Sequence, residues 1–179
     1  MTASASRLPS SEAHSARLTA PASRGAHFDD AGFTSLGGGL DAPVAALTYG
    51  RNGIYASEQS NGEPGNLIVG RWDGSAWVEL ATAANEFPDL AIAGPDKLVE
   101  VGDALFVVGS LYGNAFPPEE RGVLVFDGTR FSWLGGRVAA TSLYDAIATS
   151  DAVWFAGGIA EAGLGKDRVS TIGVARFGL

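Results

Sequence analysis

The sequence predicts an all-β chain assembled from repeating four-stranded antiparallel units. Three observations predict it. Gly supplies 25 of 179 residues, and nine Phe, four Tyr and four Trp stand against only 18% charged residues, a composition of turns and sheets and not of helical bundles. An aromatic–Asp–turn–aromatic signature recurs along the chain. Short apolar segments, several of them ending in Gly, precede each recurrence.

Charge and composition exclude several classes of function. The formal net charge is −8, which opposes the electrostatics of a phosphate backbone, so no nucleic-acid partner is expected. No apolar run approaches 18 residues, so no membrane span is expected. Cysteine is absent, which removes disulfides, thiolate metal sites and cysteine nucleophiles together.

Residues 1–26 differ from the rest. They carry seven Ala, six Ser, the cations Arg7, Arg17 and Arg24 and the single acid Glu12. The segment is thus +2 and the remainder −10. Pro9 and Pro21 interrupt it and no hydrophobic period runs through it. A flexible N-terminal arm that can lie on a partner is expected, with an Arg- and Ser-rich targeting segment as the alternative. The blades are assigned to residues 27–179.

The repeat is read in chain order. Phe28-Asp29-Asp30-Ala31-Gly32-Phe33 leads to Leu36-Gly37-Gly38. Trp72-Asp73-Gly74-Ser75-Ala76-Trp77 leads to Val78-Glu79-Leu80. Phe126-Asp127-Gly128-Thr129-Arg130-Phe131 leads to Ser132-Trp133-Leu134-Gly135-Gly136. A truncated copy closes the series at Val174-Ala175-Arg176-Phe177. The anchors at 28, 72, 126 and 177 are spaced by 44, 54 and 51 residues. Asp-Gly between alternating apolar residues marks a hairpin, because Gly supplies the positive φ such turns need. The flanking aromatics can meet across it. Upstream lie second strands at Gly53–Ser57, Ala104–Ser110 and Ala152–Gly158, and first strands at Val44–Leu47, Leu98–Val101 and Tyr144–Ile147. Four short strands per unit of roughly 45–50 residues is the organisation of a propeller blade.

These residues carry a family resemblance. The pattern resembles the kelch-like blades of β-propellers, as in the central domain of galactose oxidase. There an apolar strand ending in Gly-Gly is followed by Trp-Asp-Gly-x-x-Trp-x-x-Leu-Gly. Gly157-Gly158 matches the doublet, Gly109-Ser110 matches half of it and Ala56-Ser57 has lost it. Trp72 through Leu80 matches the hairpin, and the resemblance covers about residues 28–177. It implies a propeller of about three blades per chain, with Trp72, Trp77, Phe126, Phe131, Trp154 and Phe177 in the core. The copper chemistry of galactose oxidase does not transfer, because the chain has no Cys.

Strand counting yields an expectation about closure. After the arm comes a fourth-strand piece, Phe33 to Leu36, then two full blades, then three strands of another. The N-terminal strand is therefore expected to complete the last blade, and the chain to be finished and not cut. Three blades are fewer than the four to eight of ordinary propellers. Two chains sharing one six-blade ring are expected, each N-terminal strand completing the partner's last blade, with a small monomeric closure as the alternative.

The catalytic inventory is thin. His14 and His27 precede the first blade and form no triad or metal cluster. Asp29-Asp30 falls on a turn and Glu119-Glu120 follows Pro117-Pro118 in a loop; as carboxylate pairs they are the weakest of the functional readings. Gly37-Gly38-Gly39 is followed by neither Lys nor a helix start, so no phosphate loop is indicated. No enzyme activity, cofactor or metal is expected. Loops, by contrast, are elaborated. Connections at Glu58–Asn66, Leu111–Arg121, Ile159–Ser170 and Ala81–Pro95 are long, and all emerge at one end of the blades. They carry Phe87, Tyr112, Asn114, Phe116, Glu119, Lys166, Asp167 and Arg168 as candidate binding residues. The leading expectation is a non-catalytic binding or structural module that docks to protein partners in a larger assembly, such as a virion or multi-subunit complex. The alternative is a lectin-like module that binds glycans through the loop aromatics.

Overall fold

A computed structural model of the chain describes residues 26–30, 32–37, 39–40, 42–58, 68–82, 90–113, 122–134, 138–163 and 165–179. Among these the protein is all-β, with three four-stranded antiparallel sheets, one separate hairpin and a single 3-10 turn at Gly165–Asp167. The arm falls almost wholly outside the described residues. Its last predicted residue, Ala26, already begins the first strand.

The hairpin pairs β1 (Ala26–Asp29) with β2 (Gly32–Ser35), Phe28 opposite Phe33. The first sheet runs β3 (Val44–Gly50), β4 (Gly53–Glu58), β5 (Ile68–Trp72) and β6 (Trp77–Thr82) in spatial order. The second runs β7 (Leu90–Val101), β8 (Ala104–Gly113), β9 (Val123–Phe126) and β10 (Phe131–Trp133). The third pairs β11 (Val138–Ala148), β12 (Ala152–Ala162) and β14 (Val174–Gly178), with the two-residue β13 (Val169–Ser170) on the far end of β12. β2 bonds to β1, and no described strand pairs with the outer edge of β14.

The three sheets share one register. Val99 opposes Phe106 in the second, Ile147 opposes Trp154 in the third and Thr48 opposes Tyr55 in the first. Across to the third strand, Leu105 opposes Phe126, Val153 opposes Phe177 and Ile54 opposes Trp72. The anticipated aromatic pairs close the outer hairpins, with ring centroids 5.7 Å apart for Trp72 and Trp77 and 5.1 Å for Phe126 and Phe131. Gly74 and Gly128 hold φ of 104° and 96° there, values an L side chain resists.

Each turn is also locked by its Asp. Asp73 Oδ1 accepts from the Ser75 and Ala76 backbone N–H groups at 2.8 and 2.9 Å, and Asp127 Oδ1 from those of Thr129 and Arg130 at 2.9 Å. The sequence reading assigned the turns to Gly; the Asp contribution is an Asx-type bond that mimics the backbone.

The doublet position shifts by two residues from the sequence alignment. In register, Gly157 corresponds to Gly109 and to Glu58, not to Ala56. Its role is close approach. A Cβ on Gly157 would press on the Ser142 carbonyl and stand 2.8 Å from Leu143 Cα, where a bulge in β11 crosses β12.

Two cores separate the three sheets. The first gathers Ala46, Tyr55 and Val69 from the first sheet against Leu98, Leu105, Val107, Leu124, Phe126 and Phe131 of the second. The other gathers Val99, Phe106, Val108 and Val123 from the opposite side of the second sheet against Ala146, Val153, Phe155 and Ala175 of the third. The first strand of the second sheet, β7, approaches both β3 and β11, so the sheets fan outward from their first strands. The fan is not closed into a ring.

Candidate binding surfaces

One end of the fan is plain. The turns Gly50–Gly53, Asp73–Ala76, Val101–Ala104, Asp127–Arg130 and Thr149–Ala152 are all tight. Connections between second and third strands, and between sheets, leave from the other end, as antiparallel pairing dictates. There the inner hairpins of the second and third sheets also run past the shared register, Leu90–Ile92 pairing with Leu111–Gly113 and Val138–Ala140 with Ile159–Ala162.

The anticipated loop residues divide three ways. Phe87, Asn114, Phe116 and Glu119 lie outside the described residues, as does Glu120. Tyr112 is not in a loop: it pairs with Ala91 inside β8. The strand continues because Leu111, beside it, is buried in the first core and holds the extension down. Lys166 and Asp167 are exposed on the 3-10 turn. Arg168 follows, with Nη1 3.2 Å from Glu161 Oε2 on β12, so the loop is clamped to its sheet. Asp30 is exposed in its turn. No group of three His, Asp or Glu side chains among the described residues is placed to hold a metal, and no helix there is long and apolar enough to cross a membrane.

A surface the sequence reading missed lies on the outer face of the third sheet. Trp154 was expected in the core, yet it is 38% exposed, whereas Phe106 at the same register position is 2% exposed. Ile147 is 59% exposed against 7% for Val99, and Val174 is 50% against 3% for Val123. The reason is that the second sheet has a neighbour on this side and, among the described residues, the third has none. An open cleft of about 250 Å³ results, lined by Asp145, Ile147, Trp154, Ala156 and Val174. Arg176 stands over the Trp154 ring, its guanidinium carbon 5.8 Å from the centroid, and bonds Asp151 at 2.6 Å. The Asp151 carboxyl is held below its ordinary range by the Thr149 hydroxyl and by the Arg176 charge.

The first sheet is its counterpart at the opposite end of the fan. On its outer face Leu47 and Tyr49 are 61% and 84% exposed, although Leu98, the register equivalent of Leu47, is fully buried. Part of this face is covered by the segment after β2. Leu40 lies over Gly70, and Gly37 lies over the Trp72 ring.

Comparison with known protein families, with curated proteins and with solved structures finds no match to this chain.

Proposed function

We propose that the chain is a non-catalytic recognition and structural module, its three sheets acting as kelch-type propeller blades within a larger protein assembly. The observation that carries this reading is the asymmetry of the two ends. Five tight turns make one end uniform, while the strand ends from which the long connections leave, and both hairpin extensions, lie at the other. A set of in-register strands with its long connections at one end is the construction recognition scaffolds use. The Arg168–Glu161 pair supports it, because a loop tied to its sheet spends less ordering entropy on binding.

The chain's lysines supply the test. Only Lys97 and Lys166 are present. Lys166 is exposed at the loop end, and Lys97 pairs with Asp145 at 3.3 Å between the second and third sheets. Amine-reactive cross-linking in the native source, read by mass spectrometry, is expected to join other proteins to Lys166 and to the amino terminus. Cross-links confined to Lys97 would refute docking through the loop end.

A further inference from the structure

We propose that the open face of the third sheet is a docking surface for a second copy of this chain, which seats the outer face of its first sheet there, head to tail. Such a contact would continue a junction the molecule already makes twice. At each internal junction, one face of a sheet packs on the opposite face of the next. From the first sheet, Ala46, Tyr55 and Val69 receive Leu98 of the second. From the second, Val99, Phe106, Val108 and Val123 receive the third.

Register carries this pattern outward. Asp145, Trp154 and Val174 are the third sheet's equivalents of Ala46, Tyr55 and Val69, and they line the empty cleft. Leu47 is the first sheet's equivalent of Leu98, and it projects into solvent. The hole left at one end of the fan therefore has its knob at the other. Leu47 of one protomer would enter the cleft beside Trp154 of its partner as Leu98 enters beside Tyr55. Tyr49, the equivalent of Glu100, would meet the Trp154 ring where Glu100 meets Tyr55. Trp and Tyr are the residues that dominate interface energetics.

Polarity follows as well. The two faces differ, so each contact is heterologous, and two copies satisfy both faces only by closing on each other. Chain order agrees with such a ring. β2 leads into the first sheet as β6 leads into the second and β10 into the third, which brings β2 beside the partner's unpaired β14 edge.

Native mass spectrometry and sedimentation of the whole chain test this. Wild type is expected at twice the 18.3 kDa chain mass. Trp154→Glu and Leu47→Glu are each expected to halve that mass while keeping the β circular dichroism, since both residues are already substantially exposed within the chain. Ile172→Glu, also exposed but in the loop before β14, is expected to leave the mass unchanged. An equimolar mixture of the Trp154→Glu and Leu47→Glu chains is expected to recover the dimer through its one intact junction. A monomeric wild type, or a dimer that survives Leu47→Glu, overturns the proposal. Larger concentration-dependent ladders, or no recovery on mixing folded variants, overturn the closed head-to-tail geometry.

Discussion

Phe106 and Trp154 occupy one position in two sheets of the same register, each between a first-strand aliphatic and a third-strand partner. The second sheet is enclosed on both faces, and Phe106 packs with Phe155 and Phe177 at centroid separations of 6.3 and 6.1 Å. Among the described residues the third sheet is enclosed on one, and the Trp154 ring carries the Arg176 guanidinium over it. Both residues lie on a strand paired along both edges, although the second sheet carries β10 beyond its third strand and the third sheet has no described strand beyond β14. The immediate ladder around each residue is the same and the stacking is not, so the comparison separates what hydrogen-bonded ladders contribute from what burial between sheets contributes.

Truncating both residues has the largest expected effect. Phe106→Ala is expected to destabilise the chain by about 3–5 kcal/mol, the range for an aromatic removed from a filled core. Trp154→Ala, made in the Leu47→Glu background so that association does not contribute, is expected to cost about 1 kcal/mol or less, because it loses a cation–π contact and partial packing. Urea denaturation gives both values. Equal losses would mean that the third sheet's open face contributes to the folded chain as a core does.

A smaller effect sharpens the contrast between the inner hairpins. In the second sheet the register shifts on both sides of Pro95, which lies opposite Gly109; in the third, β11 crosses directly over Gly157. Gly157→Ala is expected to cost about 1–3 kcal/mol, the ordinary cost of overpacking, because the neighbour is backbone and cannot rotate away. Gly158→Ala should cost less, since its Cβ would meet the Thr141 hydroxyl, a side chain able to turn aside. A reversed order in thermal midpoints would mean that the bulge moves more readily than the hydroxyl.

Much of this fold could be read from the residues alone, and the reason is local. Phe126-Asp127-Gly128 and its copies specify a turn, a register and a cross-strand pair within six residues, so three sheets could be counted before any packing was known. The Gly157-Gly158 doublet could be seen but not aligned, because its cause is a bulge in another strand. Tyr112 was misplaced for a related reason: the β8 extension is held by burial of Leu111, which no local pattern announces. Trp154 shows the deepest limit. Its sequence context is that of a core aromatic, and it is a surface residue because no described element covers that face of the third sheet.

The turns predict an acid response shared by equivalent hairpins. Backbone N–H groups of Ala76 and Arg130, and of Ser75 and Thr129, hold the Asp73 and Asp127 carboxyls below the ordinary value of 3.8. Folded carboxyls with lowered pKa contribute stability above the unfolded value and lose it as pH falls through the folded one. Stability should therefore decline below about pH 4. Asp127→Asn keeps the acceptor oxygen and removes the titration, so it should reduce the acid sensitivity while leaving the neutral-pH midpoint nearly unchanged. An unaltered acid limb in that variant would assign the loss to other carboxyls.

The smallest effect distinguishes the two junctions. The one between second and third sheets is aromatic, whereas the one between first and second holds a polar knot: Glu100 accepts from the Tyr55 hydroxyl at 2.7 Å, from Asn52 Nδ2 at 3.1 Å and from the Arg51 backbone N–H. Burial, and then the Glu100 carboxylate that accepts its hydrogen bond, push the Tyr55 phenol above its ordinary 10.0. The raised group contributes stability that is full below the unfolded pKa and lost as pH rises through the folded one, because the unfolded tyrosine ionises first. A denaturation midpoint followed from about pH 9 to about pH 11 is thus expected to fall more steeply in wild type than in Tyr55→Phe. Phe106→Tyr offers no such partner at the other junction and should not create the same slope. Parallel pH profiles for wild type and Tyr55→Phe would show that the knot is held by Asn52 and the Arg51 amide alone, and that the two junctions differ in shape and not in charge.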